Sequence, residues 1–96
     1  MITLLGAKQI REIANQLSLK PTKKLGQNFV IDANTCRKIV ELAAIGRNDV
    51  VLEIGPGLGS LTLPLLEKAA KVYSIEIDQR LANQLPLTMQ QNNAPV

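Results

Sequence analysis

The sequence contains no histidine and no tryptophan, and its 96 residues include one cysteine, one tyrosine and one phenylalanine. Without histidine the chain cannot supply a Ser-His-Asp triad, a histidine general base or a Cys/His zinc site. Its single cysteine, Cys36, cannot form an internal disulfide. We therefore expect no metal site, and any chemistry must use carboxylates, amides, hydroxyls or the backbone.

Long hydrophobic segments are also missing. The longest charge-free run of mainly apolar character, Ile54 to Leu66, has thirteen residues that include three glycines and two prolines. This is shorter than the ~20 residues that span a bilayer. No lysine or arginine precedes Lys8, and no apolar core with a small-residue cleavage site follows, so the pattern of a secretory signal is absent. Together with the single cysteine, these absences predict a cytoplasmic protein without a membrane span.

The charges that are present are unevenly distributed. The formal net charge is +3, but residues 1–38 carry seven basic and two acidic side chains, whereas residues 39–96 carry four and six. A basic arm that precedes a mildly acidic body favours a polyanionic partner such as nucleic acid, although a solvated loop explains such lysines equally well. With 46% apolar and 20% charged residues, the chain suits one small globular domain.

Apolar periodicity predicts two helices before the first strand. Ile10, Ile13, Ala14 and Leu17 form one stripe, so we expect an N-terminal helix within a first segment of residues 1–19.

A basic stretch and a second helix come next. Residues 20–31 contain a proline and a glycine among their lysines and predict an exposed loop. Asp32 is a candidate N-cap for a helix over 33–45. Gly46 suits the left-handed position that follows the last helical turn.

The second half of the chain alternates between strands and helices. Val50 to Ile54 is β-branched and apolar, which predicts a central strand buried on both faces of a parallel sheet. A helix over about 58–69, a strand over 71–76 and a helix from Asp78 to about Leu85 are expected to follow. Two helices followed by strand, helix, strand and helix indicate an α/β fold with a right-handed, Rossmann-like parallel sheet.

The end of the sequence departs from this alternation. Residues 86–96 are polar and lack periodicity, so we expect a loose tail. Two parallel strands leave long edges unpaired, and the sequence stops where a third strand would begin. We therefore expect an incomplete sheet and interpret residues 20–96 as a truncated domain.

A glycine-rich stretch follows the first strand, at the sheet edge where α/β folds bind ligands. It reads Glu53-Ile54-Gly55-Pro56-Gly57-Leu58-Gly59. Glycines permit a sharp turn and close approach of the backbone to a ligand. Glu76, 21 residues after Gly55, can accept both hydroxyls of a ribose, so the pattern predicts an adenosine-containing cofactor. The dinucleotide fingerprint requires glycine where Ser60 stands, and a helix-packing turn without any ligand is a further alternative.

Three segments together resemble the ribosomal RNA adenine dimethyltransferases. These are Lys23 to Phe29, Val51 to Thr62 and Ile75 to Leu81, which are similar in order and separation to the first three motifs of that family. The resemblance covers about residues 20–85. It is strongest to the bacterial branch that adds two methyl groups to each of two adjacent adenines in the 16S rRNA of the small ribosomal subunit.

The resemblance implies a Rossmann-like methyltransferase fold, S-adenosyl-L-methionine as cofactor and 16S rRNA as partner of a monomeric enzyme. It makes 20–96 a truncated cofactor-binding domain, with the cofactor motif inside the 20–31 loop. Cofactor-binding roles carry over to Gln27, Asn28, Val30, Glu53, Gly55, Gly57, Gly59 and Glu76. Lys23 and Lys24 would face RNA phosphate. The family's later motif, which holds the target base, has no counterpart here, so we expect no catalytic residue in this chain and no activity from it alone.

Two other functions remain open at this point. A non-catalytic RNA-binding or transcription-factor-like relative would share the basic arm, although the intact glycine stretch and Glu76 favour retained cofactor binding. A dinucleotide-dependent oxidoreductase fragment is disfavoured by Pro56 and Ser60.

Overall fold

The computed structural model describes residues 1–19 and 32–95. The basic loop predicted for residues 20–31 lies outside them. The described chain forms four helices and two strands, in the predicted order of two helices followed by strand, helix, strand and helix. Their bounds are α1 Ala7–Gln16, α2 Ala33–Leu42, β1 Val50–Ile54, α3 Thr62–Lys68, β2 Lys71–Ile75 and α4 Gln79–Gln91.

Helix α2 begins as predicted but ends earlier. The Asp32 carboxylate accepts a hydrogen bond from the Thr35 backbone N–H at 3.3 Å, which confirms the N-cap. The helix ends at Leu42, and Ala44, with a φ of 55°, takes the left-handed position that we expected for Gly46. That prediction was wrong because the Gly46 N–H donates to the Asp49 carboxylate at 2.7 Å and thus opens the next turn.

Strands β1 and β2 pair in parallel, with Val50 opposite Lys71 and Ile54 opposite Ile75. The hydrogen-bond ladder continues beyond β1, because the Gly55 N–H donates to the Ile75 carbonyl at 2.8 Å. The start of the glycine-rich stretch is therefore fixed to the sheet.

The prediction that β1 is buried on both faces was wrong for this chain. Only Glu53 of β1 is buried, whereas Val50, Leu52 and Ile54 on the opposite face are 62% to 71% exposed. A parallel strand is covered on both faces when helices lie on both sides of the sheet. The described helices bury only the inner face.

Helix α3 is shorter than the periodicity suggested. Residues 58–61 form turns, and the helix begins at Thr62, which places Pro64 in its first turn. Proline is tolerated there because the N–H groups of a first turn have no partner within the helix. We define residues 55–61, between β1 and α3, as the glycine loop.

The loose tail predicted for residues 86–96 is contradicted by the described part of it. Helix α4 continues through Pro86 to Gln91, and Thr88, Met89, Asn92 and Ala94 are buried. Met89 extends the stripe of Leu81 and Leu85 at a spacing of four residues and joins the core. The core cluster comprises Leu5, Ile10, Ile13, Leu58, Leu63, Leu81, Met89 and Ala94.

The N-terminal residues hold this end of α4 in place. The Thr3 N–H donates to the Asn92 carbonyl at 3.0 Å, and the Thr3 hydroxyl donates to Asn92 Oδ1, also at 3.0 Å. Asn92 Nδ2 donates to the Thr88 carbonyl at 2.8 Å. Thr88 and Asn92, which the sequence predicted to lie in a solvated tail, are thus buried and hydrogen-bonded.

Neither a membrane span nor a metal cluster occurs in the part of the chain that the structure describes. None of its helices has the length and apolarity needed to cross a bilayer. Within the same residues, no three His, Cys, Asp or Glu side chains are grouped so that they could hold a metal ion.

Candidate functional site

Three glycines give the glycine loop its course at the carboxyl end of β1. Gly55, Gly57 and Gly59 have φ values of 72°, 58° and 99°, a region that residues with a Cβ rarely adopt. A Cβ built on Gly55 or Gly57 would meet no atom within 4 Å. The backbone is therefore open beside these two residues, and a ligand can approach it closely.

Gly59 faces the protein interior instead. A Cβ at this position would lie 2.8 Å from Met89 Cε and 3.1 Å from Leu85 Cδ1, both on α4. Close packing against α4 accounts for the glycine here, and its predicted contact with a cofactor stays a prediction.

The structure brings Glu76 to the open part of the glycine loop. Glu76 Oε1 accepts a hydrogen bond from the Gly57 N–H at 3.0 Å, and Oε2 accepts one from the Asp78 N–H at 3.0 Å. Each carboxylate oxygen has two lone-pair sites, so both oxygens retain acceptor capacity. A half-buried carboxylate beside open backbone is able to bind a diol such as a ribose.

Glu53 lies on the inner face of β1, apart from this arrangement. It is 7% exposed, and its Oε1 accepts hydrogen bonds from the Thr62 hydroxyl at 2.6 Å and from the Ser74 hydroxyl at 2.9 Å. The sequence-based prediction included Glu53 but missed Thr62 and Ser74. The available signals were a hydroxyl residue directly after the glycine loop and another in the middle of an apolar strand.

Helix α4 begins directly after Glu76 and is capped as predicted. The Asp78 carboxylate accepts hydrogen bonds from the N–H groups of Arg80 and Leu81 at 2.9 and 3.4 Å. The Arg80 side-chain hydrogen bond, aided by these N–H groups, lowers the pKa of Asp78. The same guanidinium donates to the Leu17 carbonyl at 3.2 Å, so Arg80 connects the start of α4 to the end of α1.

Cys36 is buried in α2. Burial raises the pKa of its thiol, and the negative charges of Asp32 and Glu53 raise it further. The thiol therefore stays protonated at neutral pH. Its role is packing, as its position on the apolar stripe predicted.

A separate groove of about 430 Å³ lies between α3, β2 and α4. Leu66, Val72, Leu85 and Met89 make it mainly apolar. None of its lining residues belongs to the glycine loop, and Glu76 is not among them. The groove is thus distinct from the open backbone beside Gly55 and Gly57.

Five predicted site residues lie outside the described residues, namely Lys23, Lys24, Gln27, Asn28 and Val30. Their roles in binding RNA and cofactor stay predictions. Of the remaining predicted residues, the structure places Gly55, Gly57 and Glu76 together, whereas Glu53 and Gly59 point into the interior.

Comparison with known proteins gives consistent matches. The model of the ribosomal RNA adenine dimethylase family matches residues 18–95. A Leifsonia xyli protein named ribosomal RNA small subunit methyltransferase A is 58% identical over 90 residues, which cover 94% of this chain and 32% of that protein. Proteins of the same name from Corynebacterium jeikeium and Cutibacterium acnes are 59% and 63% identical over 97% and 90% of this chain, and 29% of each relative is covered.

A solved structure supports the same relationship. The crystal structure of a dimethyladenosine transferase from Plasmodium falciparum matches with a TM-score of 0.60 and 36% identity, over 66% of this chain and 23% of that chain. The chain thus spans less than a third of the length of these relatives. The family model covers most of the chain. The chain therefore belongs to the ribosomal RNA adenine dimethylase family.

Proposed function

We propose that this chain is the cofactor-binding portion of an enzyme that dimethylates adenines in 16S rRNA with S-adenosyl-L-methionine as methyl donor. The observation that carries the proposal is the Glu76 carboxylate, 3.0 Å from the Gly57 N–H, beside backbone that is open at Gly55 and Gly57. Membership of the family supports methyl transfer to rRNA adenines. The name shared by the bacterial relatives supports the small subunit as the target.

The described residues fit this cofactor. Glu76 would accept the ribose hydroxyls on the lone pairs that Gly57 and Asp78 leave free. Gly55 and Gly57 would allow the nucleoside to approach the backbone, since no side chain fills that space. The carboxylate also suits the positive charge of the sulfonium and amino groups. When bound, the cofactor supplies an electrophilic methyl group.

The role of this chain is to bind and orient the cofactor. Holding the methyl donor in a fixed position converts the transfer into a step between aligned groups. Asn28, Gln27 and Val30 complete the cofactor site in this proposal, and Lys23 and Lys24 contact RNA phosphate. The target base binds elsewhere in the full-length enzyme, so this chain holds no catalytic residue. In this proposal the full-length enzyme is a monomer that acts on ribosomal subunits in the bacterial cytoplasm.

Calorimetric titration of the 96-residue chain with S-adenosylhomocysteine, and separately with NAD, tests cofactor binding. We expect saturable binding of S-adenosylhomocysteine and weaker or no binding of NAD. Preferential binding of NAD would overturn the proposal in favour of a dinucleotide enzyme. If the chain binds RNA but binds neither S-adenosylhomocysteine nor NAD, the result would favour a non-catalytic RNA-binding protein.

A second experiment tests whether the catalytic residues lie outside this chain. The chain is incubated with small ribosomal subunits and radiolabelled S-adenosylmethionine, and we expect no label in the RNA. Label in adenines of 16S rRNA would contradict the statement that the catalytic residues lie outside this chain.

A further inference from the structure

Glu53 lies on β1, two residues before the glycine loop, and makes two hydrogen bonds. Its Oε1 accepts from the Thr62 hydroxyl at 2.6 Å and from the Ser74 hydroxyl at 2.9 Å. Thr62 is the first residue of α3, where the glycine loop ends, and Ser74 lies opposite Glu53 in the register of the sheet. One carboxylate thus connects β1, β2 and the start of α3.

The Glu53 carboxylate is shielded from water, so it depends on hydrogen-bond donors within the protein. Glu53 and Thr62 are 7% and 3% exposed, whereas Ser74 is half-buried. A buried carboxylate requires hydrogen-bond donors. The Thr62 distance of 2.6 Å is that of a short, strong O–H···O bond, and the Ser74 distance of 2.9 Å lies in the ordinary range. Loss of either hydroxyl would leave the carboxylate short of a donor, and the neighbouring backbone would shift to compensate.

The glycine loop is held at both of its ends. At its start, the Gly55 N–H donates to the Ile75 carbonyl at 2.8 Å. At its end, Thr62 is held by Glu53. Gly55 and Gly57, whose open backbone faces the proposed ligand, lie between these two points.

We propose that Glu53, Thr62 and Ser74 are positioning residues, which set the glycine loop in its ligand-binding conformation, and that Glu53 does not touch the cofactor. This inference rests on the proposed function of the loop as a cofactor site. Thr62 and Ser74 hold the Glu53 carboxylate, and Glu53 affects cofactor binding through the conformation of the loop rather than by direct contact. The carboxylate that meets the ligand is Glu76.

The test compares variants that keep or remove one hydroxyl. Thr62→Val removes the donor at nearly constant size, Thr62→Ser retains it, and Thr35→Val is a matched control on α2, where the hydroxyl contacts exposed Asp32. In amide NMR spectra of the ligand-free chain, we expect Thr62→Val to shift the signals of Gly55, Gly57 and Gly59. Thr62→Ser and Thr35→Val should leave these signals near their original positions.

Affinity for S-adenosylhomocysteine provides the functional readout. We expect Thr62→Val and Ser74→Ala each to weaken binding about tenfold, and Thr62→Ser to restore it. Circular dichroism of each variant establishes that it is folded. Unchanged glycine signals together with unchanged affinity in Thr62→Val would overturn the proposal.

A pair of ligands separates positioning from direct contact. 5′-Methylthioadenosine shares the nucleoside and thioether of S-adenosylhomocysteine but lacks its amino-acid group. We expect Glu53→Gln to weaken binding of both ligands by the same factor, because the loop affects the nucleoside. Selective weakening for S-adenosylhomocysteine would show that Glu53 contacts the amino group and would overturn the inference. If the unaltered chain binds neither ligand, the proposed function fails, whereas the glycine signals of Thr62→Val still decide the positioning role.

Discussion

The Glu76 carboxylate accepts the backbone N–H of Gly57 at 3.0 Å, although the two residues are 19 positions apart. The contact joins the end of β2 to the middle of the glycine loop. A ribose bound at this carboxylate must share it with Gly57 and with Asp78. In the proposed cofactor site, this side chain links ligand binding to the conformation of the loop.

Replacement of Glu76 by glutamine is expected to reduce cofactor affinity strongly. The amide keeps the size of the side chain but loses the negative charge and one acceptor. Hydrogen bonds to charged groups contribute about 1.5–3 kcal/mol each, so Kd for S-adenosylhomocysteine should rise roughly tenfold or more. Glu67→Gln is the matched control, because Glu67 forms an exposed ion pair with Arg37. Equal affinities for the two variants in calorimetric titration would contradict the assignment of Glu76.

Gly57 and Gly59 of the glycine loop are expected to differ in their tolerance of alanine. Gly59→Ala introduces a methyl group 2.8 Å from Met89 Cε at a φ of 99°, and should reduce the free energy of unfolding by about 2–3 kcal/mol. Gly57→Ala meets open space and should cost only about 1 kcal/mol. We expect it to affect ligand affinity more than stability. Urea denaturation followed by circular dichroism measures both losses, and a larger loss for Gly57→Ala would be inconsistent with the packing of Gly59.

Asn92 offers a test of the ordered C-terminal end of α4. The Asn92→Ala variant loses the bonds to the Thr3 hydroxyl and the Thr88 carbonyl, so the free energy of unfolding should fall by about 1–3 kcal/mol. The neighbouring Asn93 is exposed with a φ of 62°. Asn93→Gly should therefore be neutral or slightly stabilising. If both variants unfold at the same urea concentration as the original chain, residues 92 and 93 form a loose end after all.

Stability should decrease in acid partly because of Asp78. Its pKa lies below the ordinary value of 3.8 in the folded chain, so the folded state favours the carboxylate. The resulting stabilisation is fully present above the unfolded pKa and is lost as the pH falls through the lowered folded value. The Asp78→Asn variant keeps an N-cap acceptor but does not titrate, so its difference in stability from the original chain should shrink below about pH 4.

The Arg80→Gln variant provides a second test of this pH dependence. It removes the guanidinium that contributes most to the lowered pKa of Asp78. The acid-sensitive part of the stability should therefore decrease in this variant as well. Urea denaturation at pH 7, 4 and 3 measures the effect, and a difference between Asp78→Asn and the original chain that does not change with pH would refute it.

Local signals in the sequence predicted the order of elements and both aspartate N-caps. Asp32 and Asp78 cap helices through N–H groups two or three residues away, so the information lies within a few positions of the chain. The approach of Glu76 to the glycine loop was also predictable, because the carboxyl ends of neighbouring parallel strands meet at one sheet edge. These features depend on general geometry rather than on particular distant partners.

The features that the sequence did not reveal depend on distant contacts. Asn92 is polar and reads as solvated, but Thr3 and Thr88 satisfy its hydrogen bonds in the interior. The family resemblance implies a cofactor-binding role for Glu53, and only the sheet register shows that Ser74 lies opposite it. Gly46 is the exception, because the contact that decides it is local. The carboxylate of Asp49, three residues later, accepts a hydrogen bond from the Gly46 N–H, and Ala44 takes the left-handed position.

The contact between Thr3 and Asn92 also affects how the chain reaches its folded state. The two residues are 89 positions apart, and closing so long a loop costs about 4 kcal/mol of chain entropy before any contact compensates for it. Contacts of this range slow folding. During synthesis, Leu5 and its neighbours leave the ribosome well before Met89 and Ala94, their partners in the core. Leu5 can therefore complete its packing in the core only after Met89 and Ala94 have also been synthesised.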